Sequence, residues 1–204
     1  MTPTCATFED ECALHRGIDA MFAAKIPWMA RRPVIARGMT PCDLVLTPTG
    51  LRFGGRRYPC TIGRGGLTGD KREGDGATPG GIHRIVGMLY RPDRMARPAG
   101  WAVPIRPGDL WSDDPDHEDY NLMVRAPYPH SHEVLRRADP LYDLVIVTDW
   151  NRPCAVRGRG SCIFLHRWRR PGYSTAGCIA LDPGHLRRIA ADIRFGTRLI
   201  VSPV

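Results

Sequence analysis

The stretch from Ser161 to Leu181, SCIFLHRWRRPGYSTAGCIAL, carries residue types that nucleophilic acyl transfer requires. A free thiol is largely protonated at neutral pH, and a neighbouring imidazolium stabilises the thiolate and makes it a nucleophile. His166 stands twelve residues before Cys178. The apolar pattern predicts a core strand over 161–166 and another over 178–181, joined by a turn at Pro171-Gly172. Antiparallel neighbours lie about 5 Å apart, so such a pair sets an imidazole beside a thiol. Gly177 lets a substrate carbonyl approach the backbone closely. The amides of Gly177 and Cys178 could then hold the oxyanion of a tetrahedral intermediate.

Other chemistries fit less well. Cys162, His166, Cys178 and His185 supply two zinc ligands of each type, but not at the close paired spacing of zinc fingers, so no metal is expected. From Asp114 onward, oxygens alternate as in a calcium loop, yet Asp119 stands where an EF-hand needs glycine. The glycine-rich run over 63–81 lacks the Gly-Lys-Ser/Thr ending of a phosphate loop and reads as turns flanking a cleft, with Thr78-Pro79 entering the next strand. No cofactor is expected. Tyr120 and Asn121, with Tyr128 and His132, are candidates either for the cleft wall or for packing a loop.

The elements around these residues are mostly strands. Short strands are expected over 44–47, 51–53 and 58–62, with Pro48-Thr49-Gly50 and Gly54-Gly55 as turns. A further strand spans 83–89. Residues 91–132, rich in Pro and Asp, read as long irregular segments over one face. LYDLVIVT (141–148) is the strongest strand, apolar enough to be central and covered on both faces. Asp182-Pro183 is a helix start, Leu186, Ile189, Ala190 and Ile193 form its apolar stripe, and Gly196 ends it before a last strand over 199–201.

At 204 residues, one buried domain is the natural reading. Residues 1–38, with a weak helical pattern through Ile18, Met21 and Phe22 broken at Pro27 and Pro33, read as an appendage to a domain over 39–204. The net charge is +8, and only Lys25 and Lys71 are lysines. That balance favours an acidic partner, such as nucleic acid, anionic lipid or a carboxylate-rich substrate, or else merely solubilises the surface. Only RWRRPGY (167–173) interleaves basic and aromatic residues, and it lies inside the candidate site, so no nucleic acid is expected. Seven cysteines, an odd number without a CxxC pair, leave at least one thiol unpaired within the chain. No apolar run approaches the ~18–20 residues of a membrane span, and the first residues do not read as a signal peptide.

A family resemblance rests on these same motifs. YkuD-type L,D-transpeptidases end in a histidine, a spacer and Ser/Thr-His-Gly-Cys. This chain resembles them with His166, eight residues, then Thr175-Ala176-Gly177-Cys178. GRGGLTGDKREGDGATPGG and the WSDDP…DYN stretch from Trp111 to Asn121 are similar to one branch of that family, and the likeness covers roughly residues 42–203. It implies a mostly-β domain, a YkuD-like sandwich or barrel-like sheet with long loops and one main helix near the C-terminus.

The resemblance also implies roles. Cys178 is the nucleophile, His166 its base, and the carbonyl of Arg167 orients His166. Thr175 and Ala176 fall on motif positions facing substrate. The implied substrates are peptidoglycan stem peptides: a D-amino acid leaves and an amine on a second stem accepts the acyl group. Water as acceptor makes the same site an L,D-carboxypeptidase, and a free D-amino acid makes it an exchange enzyme. A non-catalytic basic module binding cell wall or nucleic acid is the alternative from another class. Two departures bear on the link formed: Ala176 replaces the motif's second histidine, and the spacer is shorter than usual. They point to an atypical cross-link from the first rather than the third residue of the donor stem. The substrate class implies the cell envelope or periplasm.

Overall fold

The computed structural model describes residues 38–202. The expected appendage therefore lies outside the described residues except for Gly38. Strands come first along the chain: β1 (Leu44–Thr47), β2 (Gly50–Phe53), β3 (Arg56–Tyr58), β4 (Cys60–Thr61), β5 (Leu67–Thr68), β6 (Thr78–Pro79) and β7 (Gly81–Tyr90). Then follow β8 (Val103–Pro104), β9 (Asp109–Ser112), β10 (Met123–Arg125), β11 (His132–Val134), β12 (Leu144–Thr148), β13 (Phe164–Arg167) and β14 (Ile179–Leu181). Helix α1 (Pro183–Asp192) and β15 (Arg198–Val201) complete the domain. The mostly-β expectation holds, with one helix among the described residues.

Ten strands form the main sheet, in the order β3-β2-β1-β15-β7-β12-β13-β14-β4 with β8 beside β7. The expected single strand over 58–62 is in fact two, split at Pro59 into β3 and β4. Proline has no N–H to give a ladder. The two pieces stand at opposite ends of the strand order while one residue joins them. The sheet must therefore curl until its ends meet, giving a nearly closed barrel.

Its inside is filled by Leu44, Leu51, Ile85, Ile146, Leu165, Ile179 and Leu199, all buried. β12 is central and covered on both faces, as expected. Leu144 and Ile146 enter this first core, and Val145 and Val147 face a second one with Phe164, Trp111 and Leu135. The second core exists because residues 91–132 are less irregular than their composition suggests. β9 pairs antiparallel with both β10 and β11, and this three-stranded sheet lays Trp111 and Met123 over β12 and β13. Each strand is three or four residues long, too short for its pattern to emerge from flanking Pro and Asp.

α1 plugs the barrel with Leu186, Ile189 and Ala190. The Asp182 carboxylate accepts from the amides of Gly184 (2.8 Å) and His185 (3.2 Å), and Pro183 sits in the first turn, where a missing N–H is harmless. The helix ends at Asp192 rather than at Gly196: Ile193 turns extended and is buried in the first core, so a packing contact stops the helix. Asp182→Ala should lower stability by about 1 kcal/mol, read as a lower urea midpoint at unchanged slope. Asp182→Asn should keep most of the loss from appearing.

Candidate active site

β13 and β14 lie side by side, but in parallel rather than as the expected antiparallel pair. Leu165 pairs with Ile179 and His166 with Ala180. A parallel pair needs a crossover, and residues 168–178 supply it as a loop. The register carries Cys178 next to Phe164, whose amide donates to Cys178 Sγ at 3.4 Å. Successive strand residues alternate faces, so His166 shares the face of Phe164 and Cys178. His166 and Cys178 line one cavity of about 490 Å³.

The glycine-rich run packs beside the loop that carries Cys178. Thr175 N–H donates to Ile62 O and Arg64 N–H to Thr175 O, both at 2.9 Å. Thr78 Oγ1 donates to Gly177 O at 2.7 Å and accepts from Gly63 N–H at 2.9 Å. Two glycines are required by this close approach. A Cβ on Gly63 would lie 2.2 Å from Gly76 O, and Gly177 has φ +147 with Ala77 O at 3.0 Å from any Cβ. Thr175 Oγ1 clamps the turn itself, donating to Cys178 O at 2.6 Å and accepting from Gly177 N–H at 3.1 Å. The Gly177 amide is thus already engaged, whereas the Cys178 amide makes no hydrogen bond among the described residues.

His166 Nδ1 lies 2.7 Å from the carbonyl of Arg167. A carbonyl only accepts, so Nδ1 bears the proton and Nε2 is left as the basic nitrogen. The thiol of Cys178 donates to Cys162 O at 3.0 Å rather than to the imidazole. Burial pushes the Cys178 thiol up to about 12, against the pull of the Phe164 amide. Burial likewise lowers His166 to about 4, against its bond to Arg167. Both shifts favour the uncharged forms, so at rest the site holds a neutral thiol and a neutral imidazole.

Thr175, Ala176, Gly177, Cys178 and His166 are brought to the same cavity. Tyr120 and Asn121 are not among its lining residues. Tyr120 OH donates to Glu73, and its ring lines a separate small cavity. Asn121 is buried with φ +62, and every group of its carboxamide is used. Oδ1 accepts from Trp111 Nε1 and Cys162 N–H, and Nδ2 donates to the carbonyls of Trp150 and Asn151. It thereby fixes Cys162, the residue whose carbonyl receives the Cys178 thiol. Of the four residues weighed for zinc, His185 stands on α1 with its ring against Tyr58. No cluster of three or more His, Cys, Asp or Glu among the described residues could hold a metal ion. Cys162, Cys178, Cys42 and Cys60 are free thiols, and Cys154 is disulfide-bonded.

Several residues at the cavity escape the sequence pattern. The Tyr142 ring meets the edge of His166 at 5.3 Å, and Arg137 lies over that ring. Glu133 of β11 reaches the same wall. Lys71 is buried near Gly177, its Nζ donating to Arg72 O and Asp75 Oδ1 at 2.6 Å. A single lysine in an otherwise arginine-based domain was its one visible signal.

A family model described as YkuD, the L,D-transpeptidase catalytic domain, matches residues 52–201. No curated protein and no solved structure matches the chain. The alkylation rate of Cys178 with iodoacetamide should climb without a plateau from about pH 6 to pH 10, because the thiol ionises only above its usual range near ~8.5. A flat profile between those limits would reveal a standing thiolate–imidazolium pair.

Proposed function

We propose, from the premise that this chain belongs to the YkuD family of L,D-transpeptidase catalytic domains, that Cys178 accepts an acyl group from a peptidoglycan stem peptide and passes it to an amine of a second stem. The observation that carries this reading is the joint opening of Cys178 and His166 into one cavity whose wall includes Arg64 and Arg169. Guanidinium groups suit the carboxylates that stem peptides carry. The aromatic Trp168 and Tyr173 of the crossover face the same cavity, which ties the basic-aromatic run to this site rather than to nucleic acid.

The thiol leaves the Cys162 carbonyl, gives its proton to Nε2 of His166, and attacks the carbonyl after an L-configured centre. A neutral imidazole is the form that can accept that proton. The Cys178 amide, uncommitted at rest, receives the oxyanion. His166 then protonates the departing D-amino acid, leaving a thioester. The work of Arg167 is to hold the tautomer through its carbonyl. The family's substrate supports the cell envelope as the compartment; among the described residues, no helix is long and apolar enough to cross a membrane. Ala176, exposed at the cavity, and the short crossover support a donor cleft unlike the common one, and with it a link from the first stem residue.

Wild-type protein mixed with a stem tetrapeptide should gain one acyl mass, located by digestion on the peptide holding Cys178. Cys178→Ala should form no adduct and no cross-linked product, while melting within a few degrees of wild type. An adduct on Cys162 with Cys178 untouched, or product formation by the alanine variant, would sink the assignment. Fragmentation of the linked dimer reads out whether the first or third residue was joined.

A further inference from the structure

The acyl-transfer reading leaves one strong charge at the cavity without work. Glu133 projects from β11, a strand of the three-stranded sheet, into the wall that holds Cys178. Two donors reach its carboxylate, both at long range. Tyr142 OH stands 3.5 Å away and Arg137 NH1 3.8 Å away. Arg137 gives its shorter bonds to Asp139, from Nε at 2.9 Å and from NH2 at 2.7 Å. Asp113, on the same wall, has one buried oxygen with no hydrogen-bond donor. The two carboxylates at this cavity are therefore thinly supplied with short donors.

A carboxylate near a nucleophilic thiol works against the first half of the reaction. Its field raises Cys178 further after burial has done so, and it does the same to Cys162. Glu133 is itself pushed up by burial and by Asp113, and pulled back by Arg137 and Tyr142. A group that impedes thiolate formation finds its use in the second half, when a different charge must enter.

Resting on the acyl-transfer reading, we propose that Glu133 is the acceptor subsite: it binds the protonated amine of the incoming stem and removes the proton that keeps that amine from attacking. An ammonium brings the short donors that Glu133 lacks, since Arg137 reaches it only at 3.8 Å. At neutral pH an alkyl amine is almost wholly protonated and has no lone pair to offer. The ammonium docks against Glu133 and gives it one proton. The freed amine nitrogen forms a bond to the thioester carbon, and His166 takes the second proton. The C–S bond then breaks, the sulfur recovers a proton from His166, and Glu133 releases its own to solvent. Water needs no such subsite, so Glu133 decides between transfer and hydrolysis.

The test uses the whole chain and Glu133→Gln, which keeps size and removes charge at a half-exposed position. Formation of the Cys178 thioester is followed by intact mass, then its fate with a stem-peptide amine, with water, and with hydroxylamine, which is uncharged at neutral pH. The variant should acylate at least as fast as wild type, with the alkylation profile of Cys178 displaced to lower pH. Transfer to the peptide amine should fall by about a hundredfold, the low end for losing a general base, with a raised KM for acceptor. Hydrolysis and transfer to hydroxylamine should persist. Glu133→Asp should recover part of the transfer to the amine. Undiminished transfer by Glu133→Gln, or equal losses with amine and hydroxylamine, overturns the proposal while leaving the thioester intact. Wild-type protein that never carries an acyl group on Cys178 overturns the underlying reading instead, and this inference with it.

Discussion

Parallel pairing of β13 with β14 is the constraint on which the site depends. In a parallel ladder the two strands run the same way, so the end of β13 cannot feed directly into the start of β14. The chain must return along the sheet, and the return segment, with Trp168, Tyr173 and Thr175, becomes the wall of the cavity. The same pairing fixes the height of Cys178 against Phe164 and keeps it on the side of His166. A shift by one residue would send the imidazole into the barrel interior, where Leu165 and Ile179 now pack. Everything that approaches the thiol is held to this ladder. Thr78 ties down the carbonyl before Cys178, and Asn121 ties down the loop that carries its hydrogen-bond acceptor.

Electrostatics then follow from packing. The second core, made by Trp111, Phe164 and Tyr142 against β12, surrounds thiol and imidazole with apolar surface. Desolvation outweighs any mutual attraction the two groups could gain as ions, so the proton stays on sulfur until a substrate arrives. A site of this kind resists idle oxidation and alkylation, since the thiolate is the reactive form. In the proposed acyl transfer, the charge that develops on substrate is met by groups already in place, a backbone amide and a fixed imidazole tautomer.

That His166, Gly177 and Cys178 meet at one cavity was legible in the sequence because each of these residue types answers a local requirement. Strands expected over 161–166 and 178–181 appear as 164–167 and 179–181, and their strand nature was legible as apolar runs bounded by turns. Their relative direction was not, since the tight Pro171-Gly172 turn looks the same in a hairpin and in a crossover. Tyr120 and Asn121 lie in a motif-like stretch, but their side chains serve loop geometry, a distinction only partners such as Trp111 and Cys162 reveal. Glu133 reaches the cavity from β11, a strand that short, polar surroundings conceal, and Tyr142 meets His166 from the turn that leads into β12. Pro59 did break its strand, yet that it would part the sheet's two ends depends on contacts far away in the chain.

The strand order has a consequence for how the molecule comes into being. β1 and β15, the first and last strands described, lie next to each other inside the sheet, and β15 alone separates β1 from β7. Asp43 and Arg198 clasp across the same junction at a separation of 155 residues. A ribosome that has made only the first half of the domain has therefore made a β1–β2–β3 ribbon whose inner neighbour does not yet exist. Its unpaired edge must wait through the synthesis of the remaining strands, a long exposure for a strand that invites pairing with other chains. Pairing within the barrel stays incomplete until β15 lies between β1 and β7.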